Sequence, residues 1–307
     1  MSDEVQLLPE EKSRPVTLIV QLVIIPLVVV LFCVGLGALF MWITSERKDF
    51  DDYVKTLRAS SGTKRGQEAQ YLLNYIQESK KWQGIFDVTA QISAGPDDFL
   101  MKNPQAAVEL RSIFDESAGQ DAKTRRYVAL VLGLLGDKES APVLRQGLND
   151  SDPDTVKNCL WALARLQDNE AAGPAMELTR HADPNVRLMA VYALGFFENP
   201  RAREVLVASL NDSDELVKWN AAFALANRSD VAGRAVLVRL LDKEYVDRQV
   251  LVTMSNRSKY RAAATVWLAK LDGKAAIPML EKIATDDVDL RVRDAALKQL
   301  EILKHGS

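Results

Sequence analysis

The chain is poor in the residues that most often carry chemistry. Its 307 residues hold two cysteines, Cys33 and Cys159, and two histidines, His181 and His305. Two thiols build no disulfide framework, and they supply neither a CxxC pair nor a cysteine-rich metal site. Charge of one sign is also lacking: 39 Lys and Arg stand against 42 Asp and Glu, a formal net charge of -3. That balance excludes a strongly basic nucleic-acid binder and an acidic disordered tail, and no nucleic-acid partner is expected. No GxxxxGK[ST] phosphate loop, HExxH zinc motif or GxSxG nucleophile elbow occurs. The paired acids Asp51-Asp52 and Asp286-Asp287 are read as exposed turn charge, because adjacency along a chain sets no facing geometry. No catalytic, cofactor-binding or metal-binding residue is assigned. What is present is apolar content of 48%, enough for the chain to fold.

Residues 16–43 run without a charged side chain, with Gln21 as the one strongly polar member. A helix of ~20 residues crosses the ~30 Å core of a bilayer, so this stretch is predicted to be a transmembrane helix. Trp42 at one end suits a membrane interface, and Pro26 introduces a local kink. The stretch exceeds a signal h-region and precedes no Ala-x-Ala-like exit, so retention as an anchor is expected. Phe32 before Cys33 argues against lipoprotein processing, and the absence of GxxxG gives little basis for a dimerisation face. The expected location is the inner or plasma membrane of a bacterium. Arg47, Lys48, Lys55 and Arg58 against Lys12 and Arg14 favour a cytoplasmic carboxy-terminal region, and the opposite arrangement stays open.

Phe50, Tyr53, Val54 and Leu57 recur at helical spacing and predict a juxtamembrane helix. Ser60, Ser61 and Gly62 interrupt it. Tyr71, Leu72, Tyr75 and Ile76 begin a second amphipathic stretch that leads to Trp82, Ile85 and Phe86, before a break at Gly95-Pro96. The helices at 66–117 fit either degenerate repeats or a cap.

The dominant pattern begins at Asp121. Asp121, Asp152, Asp183 and Asp214 are each 31 residues apart, and similar residues return at the same phases. Seven residues on stand Val128, Cys159, Ala190 and Ala221; ten on, Val131, Ala162, Ala193 and Ala224; eleven on, Leu132, Leu163, Leu194 and Leu225. These offsets share one helical face, with small residues where another helix must come close. A second set, Leu144, Ala175, Leu206 and Leu237, keeps the same period, so each unit holds two helices. Neither helix of a pair buries its apolar face alone. Stacked pairs therefore form one elongated core, an all-α solenoid.

The run from Asp183 to Gly195 and the run from Ala202 to Asp212 resemble HEAT-like repeats of the phycobilisome-lyase type. The resemblance covers 121–243 and resumes over 260–271, 277–284 and 289–300. Residues 244–256 break the period and read as an irregular insertion. The resulting organisation is a polar tail at 1–15, a transmembrane helix at 16–43, juxtamembrane helices at 44–120 and a HEAT-like solenoid at 121–307.

The resemblance implies a scaffold for a protein partner, an assembly factor or structural subunit of a membrane complex, with a bilin lyase or related enzyme as the alternative. Relatives that are deoxyhypusine hydroxylases carry repeated His-Glu metal pairs, whereas here Ala182 follows His181 and Gly306 follows His305. Residues expected to flank a partner surface are Arg145, Gln146, Met176, Glu177, Val207, Val238 and Arg239. The apolar members of that set serve equally well as filling between repeats. Arg125, Arg187 and Lys218 share one phase and are expected to form an intramolecular charge ladder.

Overall fold

The computed structural model describes residues 27, 30–32, 34–36, 49–78, 104–249 and 252–305. The chain divides into two compact units, Met1–Asp49 and Phe50–Ser307. In the first, the described residues Leu27, Val30, Leu31, Phe32, Val34, Gly35 and Leu36 are helical. The expectation of a single-pass membrane protein anchored through 16–43 is corrected here. Among the described residues no helix is long and apolar enough to cross a membrane. Among the described residues, charge interrupts the one helix that reaches 18 residues. The 19-residue helix Met254–Asp272 carries Arg257, Lys259, Arg261 and Lys270. Pro26, Cys33 and Trp42 lie outside the described residues, as do Trp82, Ile85, Phe86, Gly95 and Pro96.

The second unit is helical throughout its described residues. It opens with α1 (Phe50–Ala59), α2 (Gly62–Glu78) and α3 (Pro104–Glu116). Pairs then follow: α4 (Ala122–Leu135) with α5 (Ala141–Gln146), α6 (Pro153–Leu166) with α7 (Ala172–Leu178), α8 (Pro184–Leu194) with α9 (Ala202–Ser209), and α10 (Glu215–Asn227) with α11 (Arg234–Leu241). A short α12 (Lys243–Asp247) precedes α13 (Met254–Asp272), α14 (Ile277–Asp286) and α15 (Leu290–His305). The first helix of each pair packs against the first helices before and after it, and each second helix leans on the following first helix.

The periodic aspartates start the first helices because each satisfies amide groups that a helix leaves open at its N-terminus. Asp121 accepts from the Thr124 N–H at 3.0 Å, Asp152 from Thr155 at 2.9 Å, Asp183 from Asn185 at 2.8 Å and Asp214 from Leu216 at 2.8 Å. Pro153 and Pro184 then occupy a first-turn position where no amide donor is required. Gly136 ends α4 in the left-handed region at φ 70°.

The repeated apolar columns form the core. Leu132, Leu163, Leu194 and Leu225 are fully buried, as are Leu144, Ala175, Leu206 and Leu237. Each leucine withdrawn from water contributes about 2 kcal/mol before the entropy of ordering is counted. Small residues let the first helices come closer than side chains of ordinary size permit. A Cβ placed on Gly133 would lie 2.7 Å from the Ala162 Cβ, and one on Gly195 would lie 3.0 Å from the Ala224 Cβ.

The break in period near 244–256 holds α12. Tyr245 stands where the next capping aspartate would fall, and its hydroxyl accepts from Trp219 Nε1 at 3.0 Å and bonds to the Glu215 carboxylate. Residues 250–251 lie outside the described residues.

Candidate functional site

Charged side chains bind neighbouring repeats together in two columns. In the first, an arginine of a first helix, four residues after the cap in Arg125 and Arg187 and eight after the Thr253 cap in Arg261, reaches the aspartate two residues before the next cap. Arg125 Nε meets Asp150 at 2.6 Å, Arg187 Nε meets Asp212 at 3.0 Å, and Arg261 Nη1 meets Asp287 at 3.1 Å. The acids also accept from the backbone of the following cap: Asp152 N to Asp150, Asp214 N to Asp212 and Asp289 N to Asp287. The expected ladder is present for Arg125 and Arg187, whereas Lys218 pairs within its own helix with Glu215 at 2.7 Å. In one repeat both members change. Val156 replaces the arginine and His181 the aspartate, and His181 Nδ1 accepts from the Asp183 N–H at 3.0 Å.

Arg126 adds a fork onto the cap Asp152. That hydrogen bond, with those from Thr155, lowers the Asp152 carboxyl to about 2. Asp212 is also held below the ordinary carboxylate range: burial opposes this most strongly, but the Arg187 guanidinium, the Asp214 amide and the Ser213 hydroxyl together outweigh it.

The second column joins an arginine of the preceding helices to the aspartate in the turn between paired helices. Arg111 meets Asp137, Arg145 meets Asp168 at 2.8 Å, Arg203 meets Asp230 at 2.5 Å and Arg234 meets Asp272 at 2.7 Å. Asp137, Asp168 and Asp230 keep the 31-residue phase, but the position between the last two is Asn199. Correspondingly, Met176 stands 31 residues after Arg145. The column is therefore interrupted between α7 and α9.

A groove of about 650 Å³ lies at that interruption. Met176, Glu177 and Arg180 line one side, and Arg201, Glu204 and Val205 line the other. Glu177, Arg180, Arg201 and Glu204 make no side-chain ion pair or hydrogen bond among the described residues, unlike the arginines of the two columns. Exposed charge of both signs thus borders half-buried apolar side chains, an arrangement that offers both desolvation and directional pairing to an incoming chain.

Of the residues expected to flank a partner, Met176 and Glu177 come together in this groove. The others are placed elsewhere. Arg145 is taken by Asp168 and Glu170. Arg239 stacks over the Tyr245 ring at 4.1 Å. Val207 packs half-buried against the core, Val238 is exposed, and Gln146 is exposed at the end of α5. Arg180, Arg201, Glu204 and Val205 escaped the sequence reading, although the replacement of a column aspartate by Asn199 was a visible signal.

An aromatic column, Trp161, Tyr192 and Phe223 at 31-residue spacing, also went unread. Tyr192 and Phe223 border a recess with Phe196 and Trp267, but its volume of about 40 Å³ admits little more than a water molecule. Burial pushes the Tyr192 phenol up to about 12. Burial likewise pushes the Cys159 thiol far above its ordinary range. Among the described residues, no three of His, Cys, Asp or Glu gather into a group that could hold a metal ion.

Several solved structures resemble the chain. A designed armadillo repeat protein in complex with the peptide (KR)4 is 18% identical, over 82% of this chain and 100% of that one, with a TM-score of 0.41. The complex of CpcE and CpcF of phycocyanin lyase from Nostoc sp. is 15% identical, over 85% and 96%, with a TM-score of 0.40. Human deoxyhypusine hydroxylase is 15% identical, over 83% and 96%, with a TM-score of 0.30. None of these likenesses bears on what the chain does. No curated protein matches it in sequence. The family described as HEAT repeats matches residues 110–179 and 173–255. Within that region, capped helix pairs stack at a 31-residue period, so this part of the chain is similar to HEAT repeats.

Proposed function

We propose that the solenoid is a scaffold that docks a segment of another polypeptide in the groove between α7 and α9. The observation that carries this reading is the coincidence of two features. The inter-repeat ion-pair column stops at Asn199 and Met176, and the charges bordering the gap have no partners within the described residues. Elsewhere the equivalent arginines hold adjacent repeats together. Here Arg180 and Arg201 are available to carboxylates of a partner, Glu177 and Glu204 to its cations, and Met176 and Val205 to its apolar side chains. Met176 adapts readily to different shapes, as a thioether does.

Affinity capture with the full chain, coupled to quantitative mass spectrometry, tests the reading. A photo-crosslinking residue at Met176 or Val205 is expected to join one specific polypeptide. Met176→Asp and Glu204→Arg are each expected to reduce its capture by about tenfold, with unchanged helical content. Failure to recover a specific polypeptide, or capture indifferent to both substitutions, overturns the proposal. The lyase alternative has a separate readout, pigment absorbance after co-expression with a bilin and an acceptor protein.

A further inference from the structure

The last described helix carries an open counterpart of the surface through which internal repeats stack. In α4, α6, α8 and α10 the residues four, eight and twelve positions after the cap, and in the longer α13 Arg261, Thr265 and Ala269, form one stripe on the side that meets the next repeat. The middle position of that stripe is fully buried in each internal repeat, by Ala129, Leu160, Val191, Ala222 and Thr265. In α15 the equivalent residue is Leu297, which is 55% exposed, and Leu290, two turns earlier in the helix, is 69% exposed.

The two flanking positions differ from the internal pattern in a specific way. The first is Arg293, matching Arg125, Arg187 and Arg261, each of which reaches an aspartate ahead of the next cap. Arg293 has no such acid among the described residues, while its neighbours are engaged, Lys298 with Asp294 and Lys304 with Glu281. The second is Glu301, where internal repeats place Gly133, Ala164, Gly195, Ala226 and Ala269. A glutamate there prevents another helix from approaching as closely as α6 approaches α4, where the Gly133 position sits against Ala162. The stripe therefore does not suit another tightly stacked repeat, and its exposed leucine and two charges remain to be matched.

The stripe is complementary to itself. Arg293, Leu297 and Glu301 are spaced at i, i+4 and i+8, so the charges lie about 6 Å on either side of the leucine along the helix axis. When two such helices meet antiparallel about a two-fold axis at Leu297, residues equally far before and after it come opposite one another. Arg293 then faces Glu301 of the second copy, twice, around a leucine pair.

We propose that this flank of α15 is a homodimer interface, with a second copy of this chain as its occupant, joined by the Leu297 contact and two reciprocal Arg293–Glu301 pairs. The inference does not depend on the groove between α7 and α9, which lies on other helices.

Sedimentation equilibrium of the full chain between about 1 and about 100 µM tests it. A monomer–dimer equilibrium is expected. Leu297→Asp should leave monomer alone. Arg293→Glu and Glu301→Arg, taken singly, should each weaken dimerisation by about tenfold or more, because each sets like charges opposite one another. The double variant R293E/E301R should restore the dimer, a rescue that neither misfolding nor a heterologous contact produces. All three positions have solvent access, and circular dichroism melting checks that every variant folds. A wild-type chain that stays monomeric overturns the proposal, as does a dimer that survives Leu297→Asp or a double variant without rescue. Partner capture at the groove should be the same in dimeric and monomeric variants, which keeps the two readings separable.

Discussion

Asp150 does two things at once: it pairs with Arg125, and it receives the amide of Asp152. Both side chains of the pair are about nine-tenths buried. Removal of the acid alone leaves a guanidinium in a poorly solvating environment, a change that typically costs about 3–5 kcal/mol. Asp150→Ala is therefore expected to lower stability by that amount in urea unfolding. The chain itself contains the milder alternative, Val156 with His181, in which the imidazole keeps the backbone contact and no buried cation needs a partner. The double substitution Arg125→Val with Asp150→His should cost less than half as much as Asp150→Ala. An equal or larger loss would show that the arginine column contributes more than the neutral version replaces. The shared phase of Arg125, Arg187 and Lys218 was visible in the sequence, but their acids were not. Those partners lie 25 residues away for two of the three, on the far side of a second helix.

Helices four turns long pack here at a separation fixed by the smallest side chains in them. Gly133 illustrates the balance. In an open helix, alanine improves on glycine by about 1 kcal/mol. At this site the added carbon would lie 2.8 Å from the Ala162 Cα, a backbone atom that yields only if α6 moves. Gly133→Ala is expected to destabilise by about 1–3 kcal/mol, as overpacking does. Gly173 in α7 has nothing within 4 Å of the same added carbon, so Gly173→Ala should stabilise by up to about 1 kcal/mol. Thermal melting of the two variants should move in opposite directions; a shared direction would refute this account of the packing. Element existence and pairing were legible because a period of 31 repeats both apolar and capping residues. The extra helix α12 was less so. Tyr245 is anchored by Trp219 and Glu215, partners distant in sequence that no local pattern reveals.

Across the second unit, carboxylates recur at most of the junctions between described repeats, so acid weakens the stack at many points. Asp152, Asp183, Asp212, Asp230 and Asp289 are all held below the ordinary carboxylate value of 3.8. A carboxylate depressed in the folded state binds its proton more weakly than in the unfolded chain. Its contribution is thus complete above the unfolded value and is lost as pH falls through the folded one. For Asp152 that window runs from 3.8 down to about 2, and its share is about 1 kcal/mol after allowance for the solvent-exposed Arg126. Urea midpoints should be flat from pH 7 to about pH 5 and fall progressively below about pH 4. Arg126→Gln should flatten the Asp152 part of that fall. A midpoint that stays constant down to pH 3 would contradict the role given to these junction pairs.

The sequence by itself determined the all-α class, the paired helices, the caps and the core columns, because each follows from spacing within about thirty residues and from the transfer of apolar groups out of water. It also supplied the groove residues Met176 and Glu177. The tertiary structure decided which charges are already spent inside the stack and which are left over. Arg145 and Met176 occupy the same phase, yet one is consumed by Asp168 and the other borders an open groove. That difference depends on the side chain opposite, in the next repeat, and proximity of that kind exists only once the helices have packed.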